Sequence, residues 1–243
     1  MEVHPPEHAV HTVREFLVHM LAIVLGLLIA IGLEQSVEGL HRLHERHELE
    51  ENMRAEAERN VEILTTHLDV NIPELVQYRA DLVAVRAAVA RDGFVDITLP
   101  PRRMKRGDGV MFAPERDVWP VSLASGTSAL LPEPMAQMYS HVDFNATEDV
   151  KEVDRIREAS ALLTRFSLAT GYELGPNEQM HLSLAEREQL LVALSTEVQQ
   201  LFQLLRRDNL FLLDCQGVLN GIDNVRSLEQ WAVDQPKRLD AYR

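Results

Sequence analysis

Phe16 to Leu33 reads FLVHMLAIVLGLLIAIGL, 18 residues in which His19 is the only polar side chain. As a helix this run rises about 27 Å, close to the roughly 30 Å hydrocarbon layer of a bilayer. A soluble amphipathic helix of that length shows a polar face. None occurs between Met20 and Leu33, so the run reads as a transmembrane helix. A cleaved export signal is the competing reading, because Ala30 and Gly32 form a small-x-small step that a peptidase accepts. The residues ahead of the run hold Arg14 as their one strong cation, beside Glu2, Glu7 and Glu15. Export signals begin with a basic region, so the helix is expected to be retained.

Within the span Ala22, Gly26 and Ala30 recur every four residues and share one stripe, with His19 seven residues before Gly26. Small residues at that spacing let two helix backbones approach closely, which marks a face for packing on another membrane helix, from a second copy or a larger complex. Orientation follows from the flanking cations. Arg14 precedes the span, while Arg42, Arg46 and Arg54 follow it. The positive-inside rule therefore favours the C-terminal bulk in the cytoplasm by a narrow margin, with a signal-anchor that leaves the bulk in the periplasm as the alternative.

Beyond the span no helix breaker appears. Leu40, Leu43, His47, Met53, Ala57, Val61, Leu64 and Leu68 recur at three- and four-residue steps, interrupted by Glu50. From Phe16 to Leu68 such a helix is about 80 Å long and reads as a stalk. Asn71 with Pro73 predicts a break and a fresh start, followed by a second stripe at Leu75, Tyr78, Leu82, Val85 and Val89. Residues 93–117, rich in Pro and Gly, read as a long irregular loop, although FVDITL and VMFA have strand character. WPVSLASG reads as a short helix closed by Gly126, and Pro132 with Pro134 opens a long one. Its face carries Met135, Met138, Val142, Ala146, Val153, Ile156 and Leu163, and Gly171 follows its end. Ser183 and Glu186 form a capping box ahead of a helix in which Leu191, Leu194, Val198, Leu201, Leu205, Leu212, Cys215 and Leu219 keep a seven-residue rhythm. Residues 133–169 and 184–219 are expected to form an antiparallel hairpin with Cys215 in its seam. A short helix near Ser227–Val233, stopped by Pro236, ends the chain.

The expected fold is thus all-α. It comprises a polar tail (1–15), a transmembrane helix (16–33), a stalk and second helix (34–92), the loop (93–117) and a helical hairpin or bundle (118–243). GLLIAIGLEQSVEGLHRLHE, together with Trp119, Ser125-Gly126-Thr127-Ser128-Ala129-Leu130-Leu131-Pro132 and Tyr139, resembles a loose family of uncharacterised bacterial single-pass membrane proteins. The resemblance covers about a fifth of the chain. It implies a topology and no activity. In that motif Gly126 takes the left-handed turn that ends one helix, Pro132 starts the next, and Trp119 packs on Tyr139 across the turn.

Composition narrows the function. The 243 residues are 46% hydrophobic with a net charge of −14, which allows a core and argues against nucleic acid as a partner. A single cysteine makes neither an internal disulfide nor a cysteine zinc site. His41, His44 and His47 put three imidazoles on about a third of a helix's circumference and are candidate ligands for zinc, copper or nickel. A hydrated interfacial helix is the plainer reading. The Glu38…His41 and Glu178…His181 pairs have the Glu-x-x-His spacing of di-iron bundles but fall outside any expected bundle layer. His19, an ionisable group in the span, is a candidate for a helix–helix hydrogen bond or for ligating haem iron or chlorophyll magnesium. Arg102, Arg103, Lys105 and Arg106 are candidates for contact with anionic lipid. The sequence has no GxGxxG, phosphate-binding loop, GxSxG or HExxH motif, so no catalytic role is expected.

Three functions are compatible with this pattern. The first is a membrane-anchored scaffold or accessory subunit of a larger complex. The second is a sensor whose bundle binds a ligand. The third is a membrane-tethered metalloprotein.

Overall fold

The structure, a computed structural model, describes residues 13–101 and 113–235. The chain divides into two compact units, one ending at Glu48 and the other running from Leu49.

The first unit is the N-terminal part of helix α1 (Val13–Ala87). This is the helix long and apolar enough to cross a membrane: its best 18-residue window has mean hydropathy 2.7, and none of that window is buried within the protein. The hydroxyl of Ser36 donates to the Gly32 carbonyl at 2.7 Å, and His19 Nδ1 lies 2.9 Å from the Glu15 carbonyl. Both polar side chains thus turn back on the carbonyls of their own helix. Leu40 and Leu43, on the sequence stripe, are exposed, at 68% and 63%.

The second unit begins where α1 first buries side chains, at Leu49 and Met53. Ala57, Leu64, Leu68, Ile72, Leu75, Tyr78, Leu82 and Val85 continue that buried face. The break expected at Asn71 and Pro73 is absent, since α1 runs through Pro73 to Ala87. An interior proline removes one hydrogen bond and costs about 3 kcal/mol. Here the helix is held on both sides of the proline by buried residues, Leu68 and Ile72 before it and Leu75 and Tyr78 after it. Tertiary packing of this kind outweighs local propensity.

The all-α expectation needs correction. The described fold is mostly helical but carries a three-stranded antiparallel sheet, β1 (Ala90–Arg91), β2 (Phe94–Thr98) and β3 (Gln179–Ser183), in the order β1-β2-β3. FVDIT, assigned to the irregular loop, is the central strand. It pairs with β3 in a register that sets Val95 opposite Leu182 and Asp96 opposite His181. Alternate residues Val95, Ile97, Met180 and Leu182 are buried, as one covered face of an antiparallel sheet requires. The β1–β2 turn is Asp92-Gly93, both at positive φ (52° and 85°). That is the Asp-Gly signature of a tight hairpin.

Helix α2 (Val118–Ser125) ends at Gly126, which has φ 81°, as expected. A single 3₁₀ turn (Thr127–Leu130) leads to Pro132 and α3 (Glu133–Thr170), closed by Gly171 at φ 78°. Trp119 and Tyr139 pack with ring centroids 6.1 Å apart, tilted by 53°. Ser183 and Glu186 form the capping box of α4 (Leu184–Leu219). Along the α3–α4 pair, Asn145 reaches Asp214 and Ser160 reaches Glu197, so the two run antiparallel. The remainder of α1 packs on α4, where Arg187 donates to the Val85 and Arg86 carbonyls and the Arg79 guanidinium sits 5.5 Å from the Phe202 ring centre. Helix α5 (Val225–Val233) completes the described unit. Its buried Leu228 lies so close to Gly217 that a Cβ there would fall 2.1 Å from Leu228 Cδ1.

Candidate functional site

The three long helices of the second unit bury polar side chains along stripes that are otherwise apolar. From α1 come Glu56, Asn60, His67, Asn71 and Asp81, from α3 Asp149 and Glu152, and from α4 Glu197, Asp208, Asn209 and Asp214. Buried charge is costly unless it is paired or neutralised, so each needs a physical account.

Glu56 and Asn60 clamp the chain ahead of α2. Asn60 Oδ1 accepts from the Glu115 N–H and Asn60 Nδ2 donates to the Glu115 carbonyl, both at 2.8 Å. Glu56 Oε2 accepts the Asp117 and Val118 N–H groups at 2.8 and 2.9 Å. A carboxylate there satisfies the orphan donors at the start of α2 from a distant helix. Burial raises the Glu56 carboxyl above its usual range, and the two backbone N–H groups oppose that rise. Further along, Ser160 Oγ donates to Glu197 Oε1 at 2.8 Å. Asn145 Nδ2 donates to Asp214 Oδ2 at 2.5 Å and lies 3.0 Å from His141 Nε2. Burial pushes Asp214 up to about 6, with the Asn145 hydrogen bond and His141 pulling the other way.

The centre of the unit is different. His67, Asp149 and Asp208 converge from α1, α3 and α4, with exposures of 0%, 1% and 0%. His67 Nδ1 is 3.6 Å from Asp208 Oδ2, beyond hydrogen-bond range. None of the four carboxylate oxygens of Asp149 and Asp208 meets a hydrogen-bond donor from elsewhere among the described residues. Asp149 and Asp208 influence each other across α3 and α4, and two neighbouring carboxyl groups held out of water favour sharing a proton over ionising together. Burial first, then the charge of Asp208, pushes Asp149 up to about 9, and burial pushes Asp208 up to about 7 while the Asp149 hydrogen bond restrains it. The pair as a whole thus favours its protonated form over double ionisation. Burial lowers His67, which favours the neutral imidazole.

The residues singled out in the sequence lie elsewhere. His41 Nε2 pairs with Glu45 at 3.0 Å, and Glu38 pairs with Arg42 at 2.9 Å. His44 and His47 are exposed. Among the described residues no three His, Cys, Asp or Glu side chains are grouped to hold a metal ion. Glu178 clamps a turn by accepting the Glu173 and Gly175 N–H groups at 2.9 and 2.5 Å. His181 lies 2.7 Å from Asp96 Oδ1 and stacks on Phe94 with centroids 4.7 Å apart. A Cβ added at Gly26 meets nothing within 4 Å, so the Ala22–Gly26–Ala30 ridge is open. Arg102, Arg103, Lys105 and Arg106 lie outside the described residues. Cys215 is fully buried, and burial raises its thiol well above the usual range, which makes it unreactive.

The trio was missed, yet it left a trace in the sequence. Asp149 sits three residues after Ala146 and four before Val153, on the apolar stripe of α3. Asp208 falls between Leu205 and Leu212 in the rhythm of α4, and His67 lies beside Leu68 and three residues after Leu64. An ionisable residue at a core position is the signal. Compared with family models, curated proteins and solved structures, the chain shows no match, so its function is read from these residues alone.

Proposed function

We propose that this chain is a single-pass inner-membrane protein that serves as a scaffold or accessory subunit of a larger membrane complex. It docks through the Ala22–Gly26–Ala30 face and carries its acidic helical bundle on the cytoplasmic side. One observation carries the reading: a window of mean hydropathy 2.7 with none of its residues buried. Exposed apolar area of that extent needs lipid or protein to cover it. The open ridge at Gly26 supports a helix partner. Gentle-detergent purification followed by identification of co-purifying proteins tests the reading. Gly26→Ile is expected to reduce partner recovery several-fold while membrane insertion stays intact. Recovery equal to wild type removes the ridge as the docking face, and native chain found in the aqueous fraction removes the membrane reading altogether.

A second reading, a membrane-anchored sensor, is favoured by the His67–Asp149–Asp208 trio, which joins three helices through ionisable groups where apolar side chains would be more stable.

A further inference from the structure

The sensor reading lacks a ligand, and the core of the second unit supplies one. His67, Asp149 and Asp208 come one each from α1, α3 and α4, all at 1% exposure or less. From α3, Glu152 adds a further carboxylate near Asp149, and its own charge is met by Arg155. From α4, the neutral Cys215 thiol lies two turns on, and from α1 the facing ionisable group is His67 itself. Among the described residues no arginine or lysine pairs with Asp149 or Asp208.

Charge counting then defines the states. With one proton between the two carboxyl groups and a neutral imidazole, the trio carries one negative charge, spread over an O–H···O contact between α3 and α4. Removing that proton to solvent leaves two carboxylates facing each other with no donor. A buried like-charged pair of that kind is strongly unfavourable, and separation of the helices with entry of water is the relief.

We propose that His67, Asp149 and Asp208 form a proton-binding site that holds α1, α3 and α4 together when occupied and loosens the bundle when the proton leaves. The ligand of the sensor is then the proton. The proposal rests on the sensor reading for its biological purpose and on the geometry of the trio for its chemistry.

The sign follows from linkage. Both aspartates titrate near 3.8 in the unfolded chain, and Asp149 near 9 in the folded one. A carboxyl raised by folding stabilises the fold fully below its unfolded value, and that contribution drains away as pH climbs toward the folded value. Between about pH 7 and pH 8 the unfolded aspartates and histidine are largely deprotonated and the unfolded Cys215 thiol is still protonated, so Asp149 dominates the change; toward pH 9 Cys215, raised by burial, adds an equal slope to wild type and variant.

The test is denaturant unfolding of the full chain in detergent micelles across that window. The folding constant of the wild type is expected to fall about tenfold per pH unit. Asp149→Asn, whose amide can donate to Asp208 but has no proton to lose, is expected to be flat from pH 7 to pH 8 and to show only the smaller Cys215 slope above that. Equal slopes in the two proteins, or a flat wild type, overturn the proposal. Should Asp149→Asn not fold, infrared spectra of the wild type decide: a protonated carboxylic acid stretch at pH 7 that fades above pH 9 supports the site, and its absence at pH 7 overturns it. Partner recovery measured at both ends of the window separates the two ideas. A proton-dependent slope with unchanged recovery upholds the proton site and ends the sensor reading.

Discussion

The two units invert each other. In the first, leucine, isoleucine and valine face outward over the whole 18-residue window and none of it is buried. In the second, leucines are inside and a row of carboxylates is inside with them. Both arrangements are expensive in water alone, the first because apolar area stays wet and the second because charge is desolvated. The contrast teaches that each unit carries a different kind of energetic cost. The outer surface of the first leaves apolar side chains uncovered by the rest of the protein. The interior of the second holds ionisable side chains out of water.

Mutations should split these dependencies cleanly. Phe211, at 1% exposure among the largest fully buried side chains, anchors the second unit. Phe211→Ala is expected to cost about 3–5 kcal/mol of bundle stability. Thermal unfolding followed by circular dichroism checks it, and membrane association should be unchanged. Loss of membrane association would show that the two units are not separable. Leu25→Arg places a charge at the middle of the apolar run and is expected to cost about 3 kcal/mol of insertion. Carbonate extraction of membranes should release part of this variant, while the unfolding midpoint of the bundle stays where it was. Full retention would mean that lipid does not surround that helix. The smallest effect should come from Ser183→Ala, which removes the side chain that accepts the Glu186 N–H at the start of α4. About 1 kcal/mol is expected from the lost cap. Unfolding should report it, and neither fractionation nor partner recovery should.

Legibility in the sequence followed the range of the interactions. The capping box at Ser183, the left-handed stops at Gly126 and Gly171 and the proline starts are local, and each falls where the pattern put it. Asp92-Gly93 was equally local, yet a two-residue β1 is too short to show as a strand. The partner of β2 that completes the sheet is β3, 85 residues further on as measured from Asp96 to His181. Pro73 misled in the opposite direction, because a local breaker was overruled by Leu68, Ile72, Leu75 and Tyr78 packed on either side. For the candidate site, residue type alone points to His41, His44 and His47, which are exposed. The trio was passed over because each member stands alone in its own helix.

By itself the sequence determined a charge-free apolar helix near the N-terminus, an acidic helical bundle and the ends of most of its helices. These depend on composition and on contacts within a few residues. Tertiary structure alone decided that α1 passes through Pro73, that three short strands pair, and that His67, Asp149 and Asp208 meet. The reason is the same in each case: the energy that decides comes from residues remote in sequence, and only folding sets them side by side.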